Sequence, residues 1–154
     1  MMDLILWRHA EALDESEDME DLQRPLTSRG EKQAARMAAW LDRQLPDGAR
    51  IICSPARRTE QTALALGRKY KLRAELLPGC TPAELLELAQ WPKGKGTVLV
   101  VGHQPVLGQT IAELVGFSAA DCSVRKGAVW WLRQREREGV KQTVVVTVQT
   151  PELQ

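Results

Sequence analysis

The chain contains only two histidines, His9 and His103, and each follows a run that reads as a buried strand. Leu4-Ile5-Leu6-Trp7 leads into Arg8-His9, and Thr97-Val98-Leu99-Val100-Val101 leads into Gly102-His103. Imidazole has an ordinary pKa near neutrality, so it can act as nucleophile, base or proton donor. In open α/β sheets, ligands bind beyond the carboxyl ends of the strands, and two histidines placed there can meet in one crevice. A lone histidine at such a position is more often an ordinary loop residue; finding both of the chain's histidines there points to a shared site. Guanidiniums gather at the same edge. Arg8 adjoins His9, and Arg57-Arg58 lie just after a third short strand, Ile51-Ile52-Cys53. With no compensating acid in these motifs, the cluster suits a tetrahedral oxyanion such as phosphate, because arginine presents paired planar donors. Arg24, in the segment leading to the first helix, is a weaker candidate for the rim of that site.

The elements that must position these residues alternate in type. After the first strand, acidic residues from Glu11 to Glu20 read as a solvated loop. Ser28-Arg29-Gly30-Glu31 has the form of a capping box, and Ala34, Met37, Ala38, Leu41 and Leu45 form one helical stripe up to Pro46-Asp47-Gly48. Beyond Ile51-Ile52-Cys53 and the Ser54-Pro55 turn, Thr59, Ala63, Leu66 and Tyr70 recur at helical spacing, and Glu75-Leu76-Leu77 reads as a short strand. Thr81-Pro82-Ala83-Glu84 is a second capping box, with proline at the first helical position, and opens a helix to about Trp91. A helix with Val106, Ile111, Leu114 and Val115 follows Gly102-His103-Gln104-Pro105. Finally, Ala128–Leu132 and Thr143–Val148 flank Arg135-Glu136-Arg137-Glu138-Gly139, which reads as an antiparallel hairpin with a charged tip. The fold expected is α/β: a three-layer α/β/α sandwich whose mostly parallel, mixed central sheet ends in an antiparallel edge hairpin.

Composition narrows the classes. With 154 residues, 44% hydrophobic and 27% charged, the chain reads as one domain over 1–154, rather than a disordered tail or a coiled coil. A net charge of +1 gives no support to nucleic acid or a membrane surface as partner. Two histidines cannot build a three-imidazole metal centre, and the three cysteines lack CxxC spacing, so neither a metal nor another cofactor is expected. Cys53 reads as a core residue. No run approaches the ~18 apolar residues of a membrane span, and the expectation is a reduced, cytoplasmic protein.

Three segments together resemble the signatures of the histidine phosphatase superfamily, in order. They are Leu6-Trp7-Arg8-His9-Ala10, Ser54-Pro55-Ala56-Arg57-Arg58-Thr59-Glu60-Gln61-Thr62-Ala63 and Val101-Gly102-His103-Gln104-Pro105. The Arg24-Pro25-Leu26-Thr27-x-x-Gly30 segment and the short length make the chain most similar to the bacterial SixA phosphohistidine phosphatases. The resemblance spans roughly residues 2 to 150. It implies that His9 is the nucleophile and that Arg8, Arg58 and His103 hold the phosphoryl oxygens. Arg58 rather than Arg57 falls on the family's arginine position, which leaves Arg57 facing solvent.

That chemistry needs neutral His9 to attack phosphorus in line, giving a phosphohistidine enzyme that water hydrolyses. The other ring nitrogen should donate to a backbone carbonyl to fix the tautomer, while Arg8, Arg58 and protonated His103 offset the developing charge. The chain departs from the family pattern in two places. The stretch Leu76–Pro82 lacks the general-acid Glu or Asp of many members, leaving only Glu75 and Glu84 nearby, and Ala10 stands where the family usually has glycine. A missing acid favours imidazole over alkoxide as leaving group, hence phosphohistidine as substrate. The short chain leaves little room for a lid, which fits a protein-borne substrate. The expected partner is a phosphorylated protein, either a histidine-phosphotransfer domain or a phosphocarrier, with phosphate as product. The alternatives are a broad small-molecule phosphomonoesterase and a non-catalytic phosphate-binding module.

Overall fold

The computed structural model describes residues 1–118 and 122–154. Its strands are β1 (Met2–Arg8), β2 (Arg50–Cys53), β3 (Lys71–Leu72), β4 (Gly96–Gly102), β5 (Val129–Arg137) and β6 (Val140–Gln149). The helices are α1 (Ser28–Gln44), α2 (Arg57–Leu64), α3 (Pro82–Ala89) and α4 (Val106–Val115). The strands form one six-stranded sheet in the order β3-β2-β4-β1-β5-β6. β3, β2, β4 and β1 run parallel, and β5 and β6 add an antiparallel edge.

Side chains alternate across a strand, so the apolar runs of β1 and β4 supply two cores at once. Leu4 and Leu6 of β1 join Val98 and Val100 of β4 beneath Leu85 and Ala89 of α3 and Leu107 and Ile111 of α4. Ile5, Trp7, Leu99 and Val101 face the other way, against Met37, Ala38 and Leu41 of α1 and Ala63 of α2. The expected three-layer arrangement follows from this alternation. Neighbouring strands β1 and β4 lead to helices on opposite faces, which opens a crevice at their carboxyl ends.

Local details differ from the sequence reading in four places. The first helix is capped by Thr27 rather than Ser28: the Thr27 hydroxyl accepts from the Gly30 N–H at 2.9 Å and donates to the Glu11 carboxylate at 2.7 Å. α2 stops at Leu64, so Tyr70 lies beyond it and instead donates its hydroxyl proton to Glu60. Glu75-Leu76-Leu77 is not a strand. The pairing segment is Lys71–Leu72, and Ala74–Leu76 forms a 3₁₀ turn that buries Leu76. Lastly, the hairpin strands extend through the charged segment because Arg133 to Arg137 continue the ladder, leaving only Glu138 and Gly139, both at positive φ, to make the turn. The Thr81–Glu84 capping box forms as read, although α3 ends at Ala89, with Gln90 left-handed.

Candidate active site

Register brings the histidines together. Arg8 of β1 pairs with Gly102 of β4, so the next residues along these parallel strands, His9 and His103, emerge side by side with ring centroids 5.5 Å apart. Both rings are buried, at 7% and 2% exposure. His9 Nδ1 lies 2.7 Å from the Ala10 carbonyl oxygen. A carbonyl can only accept, so Nδ1 carries the proton and the Nε2 lone pair of the neutral ring is left for chemistry. Ala10 sits at negative φ with its N–H on Thr62 Oγ1 at 3.1 Å, so the departure from glycine causes no backbone strain.

The third strand end completes the cluster. Cys53 of β2 pairs with Val101 of β4, which sets Ser54 beside the histidines, its Oγ 2.8 Å from His103 Nε2. Assigning the Ser54 hydroxyl proton to Nε2, its one available acceptor among the described residues, places the ring proton on Nδ1. One turn further, Arg57 is exposed whereas Arg58 is 4% exposed and faces inward. Two other residues of the second motif act as pins. Gln61 accepts from the Leu26 N–H at 2.7 Å, and Thr62 fixes the loop after His9. Arg8 reaches the Val124 carbonyl through Nη1. Cys53 is buried as expected, and burial pushes its thiol up to about 12, so it is inert at neutral pH.

Among the described residues, three buried side-chain nitrogens have no hydrogen-bond partner: Arg8 Nε, Arg58 Nε and His103 Nδ1. All three belong to this cluster, and all are N–H donors. Leaving a buried donor unpaired costs roughly 1–3 kcal/mol, so their convergence marks a place for an acceptor-rich ligand.

Sequence reasoning missed Ser54 and Thr62 as partners, although both lie in the second motif. It also missed an acid. Asp21, one residue beyond the acidic stretch expected to be solvated, accepts from Arg58 Nη1 through its carbonyl at 2.8 Å and from Nη2 through its carboxylate at 3.1 Å. The cations are therefore partly compensated, contrary to the reading of the motifs alone, because the chain returns over the crevice before entering α1. Arg24 lies against the same carboxylate, with Nη2 2.8 Å from Oδ1, and donates Nη1 to the Leu13 carbonyl. It is joined to the cluster through Asp21.

Burial drives the histidine pKa values down to about 3. For His9, the charges of Arg8, Arg58 and Arg24 add to burial against the opposing bond to Ala10; for His103, neighbouring His9, Arg58 and Arg8 outweigh Asp21. Both are neutral at pH 7 in the unliganded protein. That suits His9; for His103, burial and the neighbouring positive charges favour the neutral ring, against the protonated form expected from sequence, before any phosphoryl charge is brought in. Arg8 is likewise shifted below its ordinary value by burial and by Arg58. Neither candidate acid joins the site. Glu75 pairs with Arg73 at 2.6 Å, Glu84 closes the capping box, and together with Arg50 they line a separate cavity of about 490 Å³. Partial burial pushes the Asp21 carboxyl up, but bonds from Arg24 and Arg58 prevail and hold it below the ordinary carboxylate value. Among the described residues no His, Cys, Asp and Glu cluster could hold a metal, and no helix is long and apolar enough to cross a membrane.

A family model of the histidine phosphatase superfamily (branch 1) matches residues 4–81, and phosphohistidine phosphatase SixA of Escherichia coli is 36% identical over 122 residues, 73% of this chain and 74% of that protein. The chain belongs to the histidine phosphatase superfamily. A solved structure of the protein histidine phosphatase SixA with tungstate superposes with a TM-score of 0.81 at 26% identity, covering 99% of this chain and 100% of that one. A structure from Nakamurella multipartitia, provisionally named a phosphohistidine phosphatase SixA, gives 0.77 at 30% identity, with 97% and 96% covered. The superfamily match ends before His103, whose place in the site rests on the β1–β4 register.

Proposed function

We propose that this histidine phosphatase removes the phosphoryl group from phosphohistidine on a signalling or phosphotransfer protein. The observation that supports it most is the set of three unpartnered buried donors, Arg8 Nε, Arg58 Nε and His103 Nδ1, around an imidazole whose tautomer leaves Nε2 free. His9 Nε2 attacks phosphorus as the P–N bond to the substrate imidazole breaks, and the three donors take the charge on the equatorial oxygens. Water then attacks the phosphorus of phospho-His9, releasing inorganic phosphate and restoring the free ring. His103 donates from Nδ1 while Ser54 holds its other nitrogen.

The substrate class follows from acidity. Among the described residues, no carboxyl group near His9 is placed to protonate a leaving alkoxide, since Glu75 and Glu84 are engaged elsewhere and Asp21 is held ionised by two arginines. A phosphohistidine that carries a proton on its other ring nitrogen releases neutral imidazole without that help, which favours a phosphoramidate over a phosphate ester. The SixA relatives carry the same activity in their names, and tungstate, bound in one of them, is a tetrahedral oxyanion like phosphate. No cofactor is needed, and a cytoplasmic setting with histidine-phosphotransfer domains or phosphocarriers as partners fits this chemistry. The test compares hydrolysis of a phosphorylated histidine-phosphotransfer domain with that of p-nitrophenyl phosphate and sugar phosphates, in wild type and His9→Ala. Preference for the phosphoprotein and an acid-labile phosphoenzyme lost in His9→Ala are expected. Faster turnover of the esters would replace the substrate assigned here, and phosphate binding without any trapped intermediate would make the chain a binding module.

A further inference from the structure

Arg58 is bonded along only one of its two edges. Its end-on pair, Nη1 and Nη2, donates to the carbonyl and carboxylate of Asp21, whereas Nε, on the side-on edge, is buried without a partner among the described residues. A guanidinium is rigid and planar, so fixing the end-on edge aims the side-on edge. Asp21 is fixed in turn. Its Oδ1 accepts from Arg24 Nε at 3.0 Å, and Arg24 Nη1 is anchored on the Leu13 carbonyl. The loop that carries all of this is tied down by Gln61 on Leu26 and by Thr27 on Glu11.

We propose that Asp21 is a positioning residue: held by Arg24, it grips the Nη1–Nη2 edge of Arg58 and so presents the Nε–Nη2 edge to the phosphoryl group. This rests on the phosphoryl site assigned above and deepens it by giving the acidic loop and Arg24 a role that does not touch substrate. The opposite geometry, in which an incoming phosphoryl group displaces Asp21 from Arg58, would leave the orphaned Nε unexplained. Asp21 and phosphate then bind Arg58 together rather than in competition.

The experiment follows inorganic phosphate binding by calorimetry, together with kcat and KM for the phosphoprotein, in wild type, Asp21→Ala, Asp21→Asn and Arg24→Ala. The Arg58 Nε–H resonance is followed by ¹H–¹⁵N NMR as phosphate is added. Asp21→Ala is expected to lower kcat on the order of 10-fold, less than the ~10²-fold that a misplacement of about 1 Å can cause, with a smaller change in KM. Asp21→Asn, whose amide oxygen still accepts from Nη2, recovers most of that loss. Arg24→Ala loses a few-fold, roughly, through its effect on Asp21. The Arg58 Nε–H signal shifts with phosphate in wild type and is broadened or averaged in Asp21→Ala. Tighter phosphate binding with undiminished kcat in Asp21→Ala overturns the proposal and makes Asp21 a competitor. Identical binding, kinetics and Nε–H signal in Asp21→Ala also overturn it, while leaving the phosphatase reading intact. No phosphate binding by wild type would overturn both.

Discussion

Strand β1 lies between two arginine–carboxylate clusters that use the same chemistry in opposite ways. Near its start, Asp3 accepts from Arg133 Nε and Nη2 at 2.8 and 2.9 Å and from Trp131 Nε1 at 2.9 Å. Beyond its end, Asp21 takes the other edge of Arg58 and leaves Nε unpaired. Arg133 is closed by its carboxylate; Arg58 is aimed by its own. The difference is that a saturated fork ties β5 to β1, whereas an unsaturated one, held in a buried setting at a cost in stability, keeps donors ready for a ligand. Neutral hydrogen-bonded side chains surround the second cluster for the same reason: a charged His9 or His103 would repel the arginines it must work beside.

The sharpest break between the clusters is His9→Ala, expected to lower phosphoprotein hydrolysis by at least about 10⁴-fold, the scale seen when a nucleophile is removed, in a steady-state phosphate-release assay. Asp3→Ala in the same assay should leave kcat unchanged. Next, Arg58→Ala should lower kcat by roughly 10²–10³-fold, as for other preorganised donors, and Arg58→Lys should recover little because the ammonium lacks the planar fork. The third effect is pH dependence. Unfolded histidines bind protons near pH 6.5 and these two bind them near 3 when folded, so the unfolded state holds more protons between those values. Stability therefore falls on acidification through that window, by up to about 1.4 kcal/mol per pH unit for each histidine, and His9→Ala should remove one histidine's share. Urea midpoints between pH 4.5 and 7.5 measure this; a flat profile would show that the rings are not held neutral. The smallest effect belongs to the closed cluster. Asp3→Ala should cost about 1–2 kcal/mol in urea unfolding, mostly from the unpartnered Trp131 N–H and little from the partly exposed ion pair.

How far the sequence could be read depends on where each signal is stored. β1 and β4 are legible because Leu4–Trp7 and Val98–Val101 are apolar on both faces, and that alone demands covering layers on each side. Arg8, His9 and His103 are legible because they sit at or next to strand ends, and Arg58 because it lies in the first turn of the helix that follows β2. Asp21 is not, since an acid that directly follows the acidic Glu11–Glu20 stretch carries no signal of its own until the chain path lays it over Arg58. Sequence alone does not separate Thr27 from Ser28 as the helix cap, because they offer equivalent hydroxyls, and contact with Glu11 selects Thr27. At Gly30 an added Cβ would run into the Glu11 carbonyl oxygen, so the glycine of the Arg24–Gly30 segment lets α1 approach the loop after His9 closely. That approach could not be seen without the fold. Charged residues disguised the hairpin ladder, which continues through Arg135 and Arg137 because one face of an edge strand can be solvated.

The pairing of Arg8 with Gly102 has a consequence for the spacing of the site. The gap between the two imidazoles is inherited from the lateral spacing of adjacent parallel strands, about 4.8 Å in any sheet, and not from side-chain choice. Single substitutions cannot widen or narrow it without breaking the sheet. The spacing of the histidine pair is thus a property of the sheet, whereas the segment from Leu13 to Leu26 that brings Asp21 and Arg24 to the site is set by its own side-chain contacts.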